Sequence, residues 1–234
     1  MYRYSIFIVS CLLYSLSEGK NFDSNILNKI LPYKVYLPPI DKINNNLPVI
    51  YINDGYNYIN KGRLVDIIDS LIISKQIKPV VAIFLEPRNK KEKWKNIREE
   101  LFLCNPSFVD FFTNEFISKM EQQYPINKNN RTIMGVSFGG LAVFYLADKA
   151  PDSFKNIVMQ SPAFHPCPDI YESYTVKSKK NLKMYLSYGT GKDTEKQDIP
   201  MVEILRDKGY NLKVERVING NHEWTYGKNK WMIY

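Results

Sequence analysis

A glycine-rich turn between a strand pattern and a helix pattern is the feature that most constrains how this chain can fold. The turn is Gly135-Val136-Ser137-Phe138-Gly139-Gly140, and the short apolar run at 131–134 before it predicts a buried strand. After the turn, apolar residues recur at helical spacing, at Leu141, Val143, Phe144, Leu146 and Ala147. A chain that passes so abruptly from strand to helix needs small residues two positions before and after the serine, and Gly135 and Gly139 provide them.

A strand, a G-x-S-x-G turn and a helix in this order are typical of the nucleophile elbow of α/β-hydrolases. In such a turn the serine lies on a strained backbone with its hydroxyl pointing into a cleft. We therefore predict that Ser137 is the nucleophile of a hydrolase. The alternative is a chance match, because glycine and serine are common in loops.

The rest of the chain alternates between strand and helix patterns. Apolar runs predict further strands at 33–37, 47–52, 80–85, 157–160, 182–188 and 212–217. Amphipathic spacing predicts helices at 64–72, 108–120 and 199–208, the second with Ser107 as its N-cap. The polar stretch 86–105 is expected to form a loop or a lid, and 161–180 to be irregular. This alternation indicates a mostly parallel central sheet with helices on both faces, which binds ligands beyond the carboxyl ends of its strands.

The N-terminus differs in character from the rest of the 234 residues, which fit one domain. Arg3 precedes a largely apolar run at 6–16, and small residues at 15–17 offer a cleavage site before Glu18. This pattern predicts a signal peptide over 1–17, a single domain over 18–234, and a secreted or periplasmic protein. The alternative is that residues 1–17 supply a core strand of a cytoplasmic protein.

Charge and cysteine content limit the partners that this chain is expected to have. The formal net charge is +8, but the lysines are scattered, and the densest run, at 90–95, is interrupted by Glu92, so we expect no nucleic-acid binding. The apolar run near the N-terminus is too short for a stable membrane span. Beyond the signal peptide, Cys104 and Cys167 remain, either as a disulfide or as two buried thiols.

The chain holds two histidines, and a serine nucleophile needs one of them as its base. His222 follows the last predicted strand, at the carboxyl end of the sheet, and we predict that it is the base, whereas His165 is expected to line the cleft or lie on the surface. The carboxylate that orients the base should lie between nucleophile and base in the chain. Asp193, directly after a predicted strand, is the first candidate, and Glu195 and Asp198 are its rivals.

Two backbone N–H groups are expected to hold the developing oxyanion. One is the N–H of Phe138, directly after the nucleophile, and the other is the N–H of Gly55 or Tyr56, in the turn that follows the strand at 47–52. The sequence carries no paired-cysteine or H-E-x-x-H metal motif, no P-loop and no dinucleotide glycine motif. We therefore expect acyl transfer to water without a metal or a cofactor.

Motifs spread over most of the chain resemble the esterase family of α/β-hydrolases that includes esterase D, enterochelin esterases, feruloyl esterases and the mycobacterial mycolyltransferases. The matching segments are 33–38, 48–55, 114–117, 135–141, 151–154, 161–164, 189–193 and 221–224. The resemblance implies triad roles for Ser137, Asp193 and His222, and a small-molecule, glycan or siderophore-type ester as substrate. The chain departs from the family at 88–94, which is only loosely similar to its Arg-x-x-Glu-Tyr-like stretch, and a full closing helix barely fits after His222.

Together these patterns predict a serine carboxylesterase that works through an acyl-enzyme intermediate. Two alternatives stay open at this point. One is an acyltransferase of the same family, which passes the acyl group to an alcohol. The other is a catalytically silent hydrolase fold that only binds a ligand.

Overall fold

The computed structural model describes residues 15–38 and 46–224 of the chain. Residues 1–14, 39–45 and 225–234 lie outside the described part, and with them most of the predicted signal peptide and most of the short segment after His222. Within the described part, no helix combines the length and the hydropathy needed to cross a membrane.

A mostly parallel sheet forms the centre of the molecule. Its strands are β1 (Ser15–Leu16), β2 (Lys20–Ser24), β3 (Lys29–Leu37), β4 (Leu47–Ile52), β5 (Val81–Leu85), β8 (Ile126–Val136), β9 (Asn156–Gln160), β10 (Lys183–Gly189) and β11 (Asn211–Val217). The spatial order is β1-β3-β5-β4-β8-β9-β10-β11, with β2 also paired to β3. All neighbouring strands from β5 to β11 run parallel, whereas β3 is antiparallel to β5, β1 and β2. A separate hairpin is formed by β6 (Arg88–Asn89) and β7 (Lys95–Asn96).

Helices cover both faces of this sheet, as predicted. They are α1 (Gly55–Asn60), α2 (Leu64–Ile73), α3 (Arg98–Phe102), α4 (Pro106–Asp110), α5 (Ile117–Gln123), α6 (Phe138–Lys149), α7 (Asp169–Val176) and α8 (Glu195–Asp207). Residues of α1 and α2 pack on one face against strand residues such as Ile52 and Met134. The remaining helices build the larger core on the other face. Burial on both faces explains why β5 is apolar at every position.

The long aromatic helix begins earlier than the sequence pattern indicated. A π-helical segment, Phe111–Phe116, joins α4 to α5, and its phenylalanines are fully buried. The predicted N-cap, Ser107, is wrong: Asn105 caps the helix, because its side-chain oxygen accepts the Ser107 N–H at 2.8 Å. Pro106 then occupies the first helical turn, where its missing N–H costs no hydrogen bond.

Two stretches expected to lack regular structure contain short elements. The predicted loop or lid at 86–105 holds the β6–β7 hairpin and α3, and the stretch predicted to be irregular at 161–180 contains α7. Helix α7 buries Ile170 and Tyr174, four residues apart, and is otherwise mostly polar. A single apolar pair gives too weak a periodicity to predict a helix from sequence.

The first described residues are part of the sheet. Ser15 and Leu16 of β1 pair with Leu37 and Tyr36 of β3. The Ser17 N–H donates to the Val35 carbonyl at 2.8 Å. These contacts involve the last three residues of the predicted signal peptide, and the signal peptide itself stays a prediction.

A disulfide joins Cys104 to Cys167, with their Cα atoms 6.2 Å apart. Cys104 follows α3, and Cys167 lies in the loop between β9 and α7. Of the two states that the sequence left open, the structure therefore has the paired one.

Candidate active site

Ser137 lies on a strained turn at the carboxyl end of β8. Its backbone angles are φ 57° and ψ −121°. Residues other than glycine rarely adopt this conformation, and those that do are often found at functional sites. A Cβ atom at Gly135 would come within 2.3 Å of the Gly139 carbonyl oxygen, and one at Gly139 within 2.5 Å of the Asp54 carboxylate. Only glycine therefore fits at these two positions, which accounts for the G-x-S-x-G pattern.

The structure brings the three predicted triad residues into one hydrogen-bonded chain. The Nε2 atom of His222 lies 2.9 Å from the Ser137 hydroxyl oxygen. The Nδ1 atom of His222 lies 2.7 Å from Asp193 Oδ1. The carboxylate is buried, with 2% of its side chain exposed, whereas 39% of the histidine side chain is exposed. With its proton on Nδ1, the imidazole donates to Asp193 and can accept the serine proton at Nε2.

The three residues meet because their strands end side by side. Val136 of β8 pairs with Gln160 of β9, and β10 ends beside β11, where Gly189 pairs with Val217. The loop after β11 is held against the loop after β10, since the Gly191 N–H donates to the Gly220 carbonyl at 2.9 Å. The His222 N–H likewise donates to the Lys192 carbonyl at 2.9 Å. His222 is thereby fixed beside Asp193.

Asp193 accepts two further hydrogen bonds besides the one to the histidine. Its Oδ2 atom accepts from the Ser161 hydroxyl at 2.7 Å and from the Gly189 N–H. Burial alone would raise the pKa of this carboxyl, but the three hydrogen bonds outweigh it and lower the pKa below its usual value. Ser161 is itself 2% exposed and has a left-handed φ of 42°. It is therefore held in place to bind the carboxylate.

We expect Ser161→Ala to lower kcat for ester hydrolysis about 10-fold with little change in KM, the effect of losing one hydrogen bond to a charged group. Removing this donor should also raise the pKa of Asp193, because one of the hydrogen bonds that lower it is lost. Ser187→Ala is the matched control, since Ser187 is equally buried but is not one of the donors to Asp193. An unchanged kcat in Ser161→Ala would contradict this role.

The rival carboxylates and the second histidine bind other partners. Glu195 forms a salt bridge with Arg216 at 2.8 Å. Asp198 is fully buried and accepts the Thr194 hydroxyl at 2.6 Å, and burial raises its pKa to about 8. His165 is exposed, with its backbone N–H donating to Gln197 Oε1 at 2.9 Å. Within the described part, neither Glu195 nor Asp198 is hydrogen-bonded to His222.

The expected oxyanion donors lie at the first residues of two helices. Phe138 begins α6, so its N–H has no acceptor within that helix. Gly55 begins α1 directly after Asp54 and is buried against Phe84. The Tyr56 N–H, by contrast, donates to the Glu86 carboxylate at 3.1 Å. Within the described part, the Gly55 N–H donates to no carboxylate. Of Gly55 and Tyr56, Gly55 is therefore the better candidate for the second oxyanion donor.

Arg98, which the sequence did not single out, connects the turn before α1 with the turn that holds Ser137. Its guanidinium donates to both oxygens of Asp54, at 2.6 and 2.9 Å, and to the Val136 carbonyl at 2.8 Å. It also lies over the ring of Phe138, 5.2 Å from the centroid. One side chain thus joins the turn before α1 to the residues on either side of the nucleophile. No local pattern in the sequence signals this role, because the partners of Arg98 are 44 and 38 positions away.

We expect Arg98→Met to lower the free energy of unfolding by about 3 kcal/mol, because it leaves a buried carboxylate unpaired. Burial raises the pKa of Asp54, and Arg98 opposes that rise. Without Arg98 the folded state holds the Asp54 proton more tightly than the unfolded state does. The loss of stability should therefore grow as pH rises from about 5 to about 8.

Urea unfolding at both pH values measures this effect. The control is Arg63→Met, which breaks an exposed pair with Asp66 whose side chains are 56% and 51% exposed. Such a pair contributes at most about 1 kcal/mol. Equal losses in the two variants would refute the role assigned to the Arg98–Asp54 pair.

A cavity of about 300 Å³ opens beside Ser137 and His222. It extends along the sheet face that α1 and α2 cover, and its inner wall includes Tyr58, Leu64, Ile67, Met134, Gln160 and Trp224. The volume is at the small end of the range for ligand sites. Over residues 15–38 and 46–224, no three His, Cys, Asp or Glu side chains are grouped so that they could hold a metal ion.

Comparisons with known proteins agree with this architecture. The Esterase family model, described as "Putative esterase", matches residues 24–234. The chain is 25% identical over 224 residues to the Bacillus subtilis protein YjcH, described as uncharacterized, covering 89% of this chain and 91% of YjcH. Among solved structures, a ferulic acid esterase superposes with a TM-score of 0.77 at 17% identity, covering 90% of this chain and 92% of that one. The enterobactin esterase FES from Shigella flexneri superposes with a TM-score of 0.78 at 16% identity, covering 88% of this chain and 54% of that one. The α/β-hydrolase fold predicted from the sequence is thereby confirmed.

Proposed function

The chain belongs to the Esterase family, and from that premise we propose that it cleaves carboxylic esters through a triad of Ser137, His222 and Asp193. An esterase of the α/β-hydrolase fold needs a nucleophile, a base and an orienting carboxylate in contact. The observation that carries the proposal is the continuous chain of 2.9 and 2.7 Å contacts from the serine through the histidine to the buried aspartate.

In the proposed reaction the Ser137 oxygen attacks the ester carbonyl carbon while His222 Nε2 takes the hydroxyl proton. The negative charge on the carbonyl oxygen is held by the N–H of Phe138, with the N–H of Gly55 as second donor. The C–O bond to the alcohol then breaks, and His222 returns the proton to the departing oxygen. Water attacks the acyl-serine by the same route, releasing the carboxylic acid and regenerating the serine.

We propose a small-molecule ester as the substrate. The cavity of about 300 Å³ beside the nucleophile is sized for one compact acyl group. The structural relatives named above are described as acting on a ferulic acid ester and on enterobactin, both small molecules. The aromatic and apolar wall of the cavity supports an acyl group of similar chemistry here.

Labelling with a fluorophosphonate probe, together with hydrolysis of p-nitrophenyl butyrate, tests the proposal. Labelling and turnover by the wild-type chain are the expected result. A folded protein that neither labels nor turns over would favour the silent binding fold. Product analysis with added glycerol or trehalose separates hydrolysis from acyl transfer, since an acyltransferase would form a new ester at the expense of free acid.

We also propose that the protein is exported, as its N-terminal sequence predicts. The Cys104–Cys167 disulfide supports an oxidising compartment, because cytosolic proteins rarely keep such bonds. N-terminal sequencing of the protein recovered from the medium or periplasm would test this. An intact N-terminus in a cytosolic fraction would exclude export.

A further inference from the structure

The cavity beside Ser137 is lined by both apolar and polar side chains, and Gln160 is one of its polar residues. Gln160 ends β9 and is 4% exposed, yet its side chain lines the cavity. Its backbone carbonyl accepts the Ser137 N–H at 2.9 Å. The amide therefore sits at a fixed position relative to the nucleophile.

A buried tyrosine determines which way this amide faces. Tyr58 of α1 is 3% exposed, and its hydroxyl lies 2.6 Å from Gln160 Oε1. Burial raises the pKa of Tyr58 well above its usual value, so the hydroxyl keeps its proton and acts as a donor. A reversed amide would leave that proton without an acceptor in an apolar site, which is costly.

The other end of the amide is consequently free to act on a ligand. With Oε1 engaged by the tyrosine, Nε2 carries two N–H donors. No acceptor within the described part of the chain bonds to Nε2. The edge contact between Tyr58 and Trp224, with ring centroids 5.0 Å apart, helps to hold the tyrosine in place.

The proposed reaction leaves the acyl group, and not the alcohol, attached to Ser137 beside the cavity. The exposed side of the site is at His222, which returns its proton to the departing alcohol, so the alcohol leaves on the solvent side. The acyl group stays bound to Ser137 and extends into the cavity beneath α1 and α2. An unsubstituted hydrocarbon chain placed there would bury the Nε2 donors without a partner.

Building on the proposed function, we propose that Gln160 is a specificity-determining residue that donates from Nε2 to an oxygen on the acyl group of the substrate. The substrate class is then an ester whose acid carries a hydroxyl, ether or carbonyl oxygen remote from the scissile bond. Sites built to hydrogen-bond such an oxygen discriminate strongly against analogues that lack it.

Two matched pairs of p-nitrophenyl esters test this inference. One pair is 4-oxopentanoate and pentanoate, and the other is 3-(4-hydroxyphenyl)propionate and 3-phenylpropionate. Each enzymatic rate is divided by the uncatalysed rate of the same ester. We expect the wild-type kcat/KM to favour the oxygenated member of at least one pair by roughly 10- to 100-fold.

The preference should fall to near unity in Gln160→Met, which keeps the side-chain length but has no donor. Tyr58→Phe should reduce it partly, because the amide is then free to turn, and this variant tests the inference independently if Gln160→Met does not fold. Gln122→Met, an exposed position on α5, is the matched control and should keep the wild-type preference.

Two results would overturn the inference. One is a wild-type preference near unity in both pairs, and the other is a preference that survives in both Gln160→Met and Tyr58→Phe. Either result would leave the esterase proposal intact as long as fluorophosphonate labels the wild-type chain. Absence of labelling and of all ester turnover would instead refute the proposed function itself.

Discussion

Ser137→Ala is expected to lower kcat/KM for p-nitrophenyl ester hydrolysis by roughly 10⁴-fold or more and to abolish fluorophosphonate labelling. The reason is that the hydroxyl 2.9 Å from His222 Nε2 is the atom that forms the acyl bond in the proposed reaction. His222→Gln should cause a loss of similar size, because serine, histidine and aspartate act as one unit. Steady-state kinetics with the ester measures the loss of kcat/KM, and in-gel fluorescence measures the loss of labelling by the probe.

The chain supplies a matched control in its second histidine. His165 is exposed and bonded to Gln197, away from the nucleophile's hydroxyl, so His165→Gln should keep wild-type turnover. Ser137→Ala, His222→Gln and His165→Gln should each unfold in urea close to the wild-type midpoint. Full activity in Ser137→Ala would disprove the assignment of the nucleophile, whatever the behaviour of the other variants.

Loss of the Cys104–Cys167 disulfide is expected to lower the free energy of unfolding by about 4 kcal/mol. The two cysteines are 63 positions apart, and cross-linking a loop of that length removes much conformational entropy from the unfolded chain. The double variant Cys104→Ser/Cys167→Ser should therefore unfold at lower urea concentration than the oxidised wild type. Dithiothreitol should destabilise the wild type to the same extent.

The response to the reductant distinguishes this bond from an ordinary packing effect. In the double variant, dithiothreitol should change nothing, because no bond remains between these positions. If the reductant leaves the wild-type transition unmoved, or if thiol titration of the unfolded oxidised protein finds both cysteines free, the stabilising bond is excluded.

The central sheet could be predicted because most of its strands contain runs or alternations of apolar residues. The pattern at 47–52 predicts a strand that the structure has at Leu47–Ile52, and β10 and β11 begin within one residue of the predicted strands. Strand β2, which pairs with β3 beside the main strand order, escaped prediction. β2 has the sequence Lys-Asn-Phe-Asp-Ser and is mostly exposed, so it lacks the apolar run on which the prediction depends.

The residues of the candidate site divide in the same way. Ser137 and His222 stand out in the sequence because one lies in a glycine motif and the other is one of only two histidines. The choice among the three candidate carboxylates needs the structure. Asp193 is hydrogen-bonded to His222, whereas the buried Asp198 accepts the Thr194 hydroxyl instead. The sequence could rank these candidates but could not choose between them.

Arg98 and Gln160 were missed for a different reason. Their importance comes from contacts with residues far away in the chain, Arg98 with Asp54 and Gln160 with Tyr58. Arginine in a polar stretch and glutamine at a strand end are unremarkable in local sequence. Partners that lie on separate strands and helices leave no spacing pattern that a single sequence can reveal.

The position of β11 at the end of the described strand order should make activity more sensitive to heat than the fold as a whole. This strand has one hydrogen-bonded neighbour, β10, and the loop after it carries the only group that can take the serine proton in the proposed reaction. Margins of a sheet open locally at a lower free energy than its centre. Gentle warming should thus silence turnover while β8 and β9 stay intact, and cooling should restore it, so activity fails before the fold does.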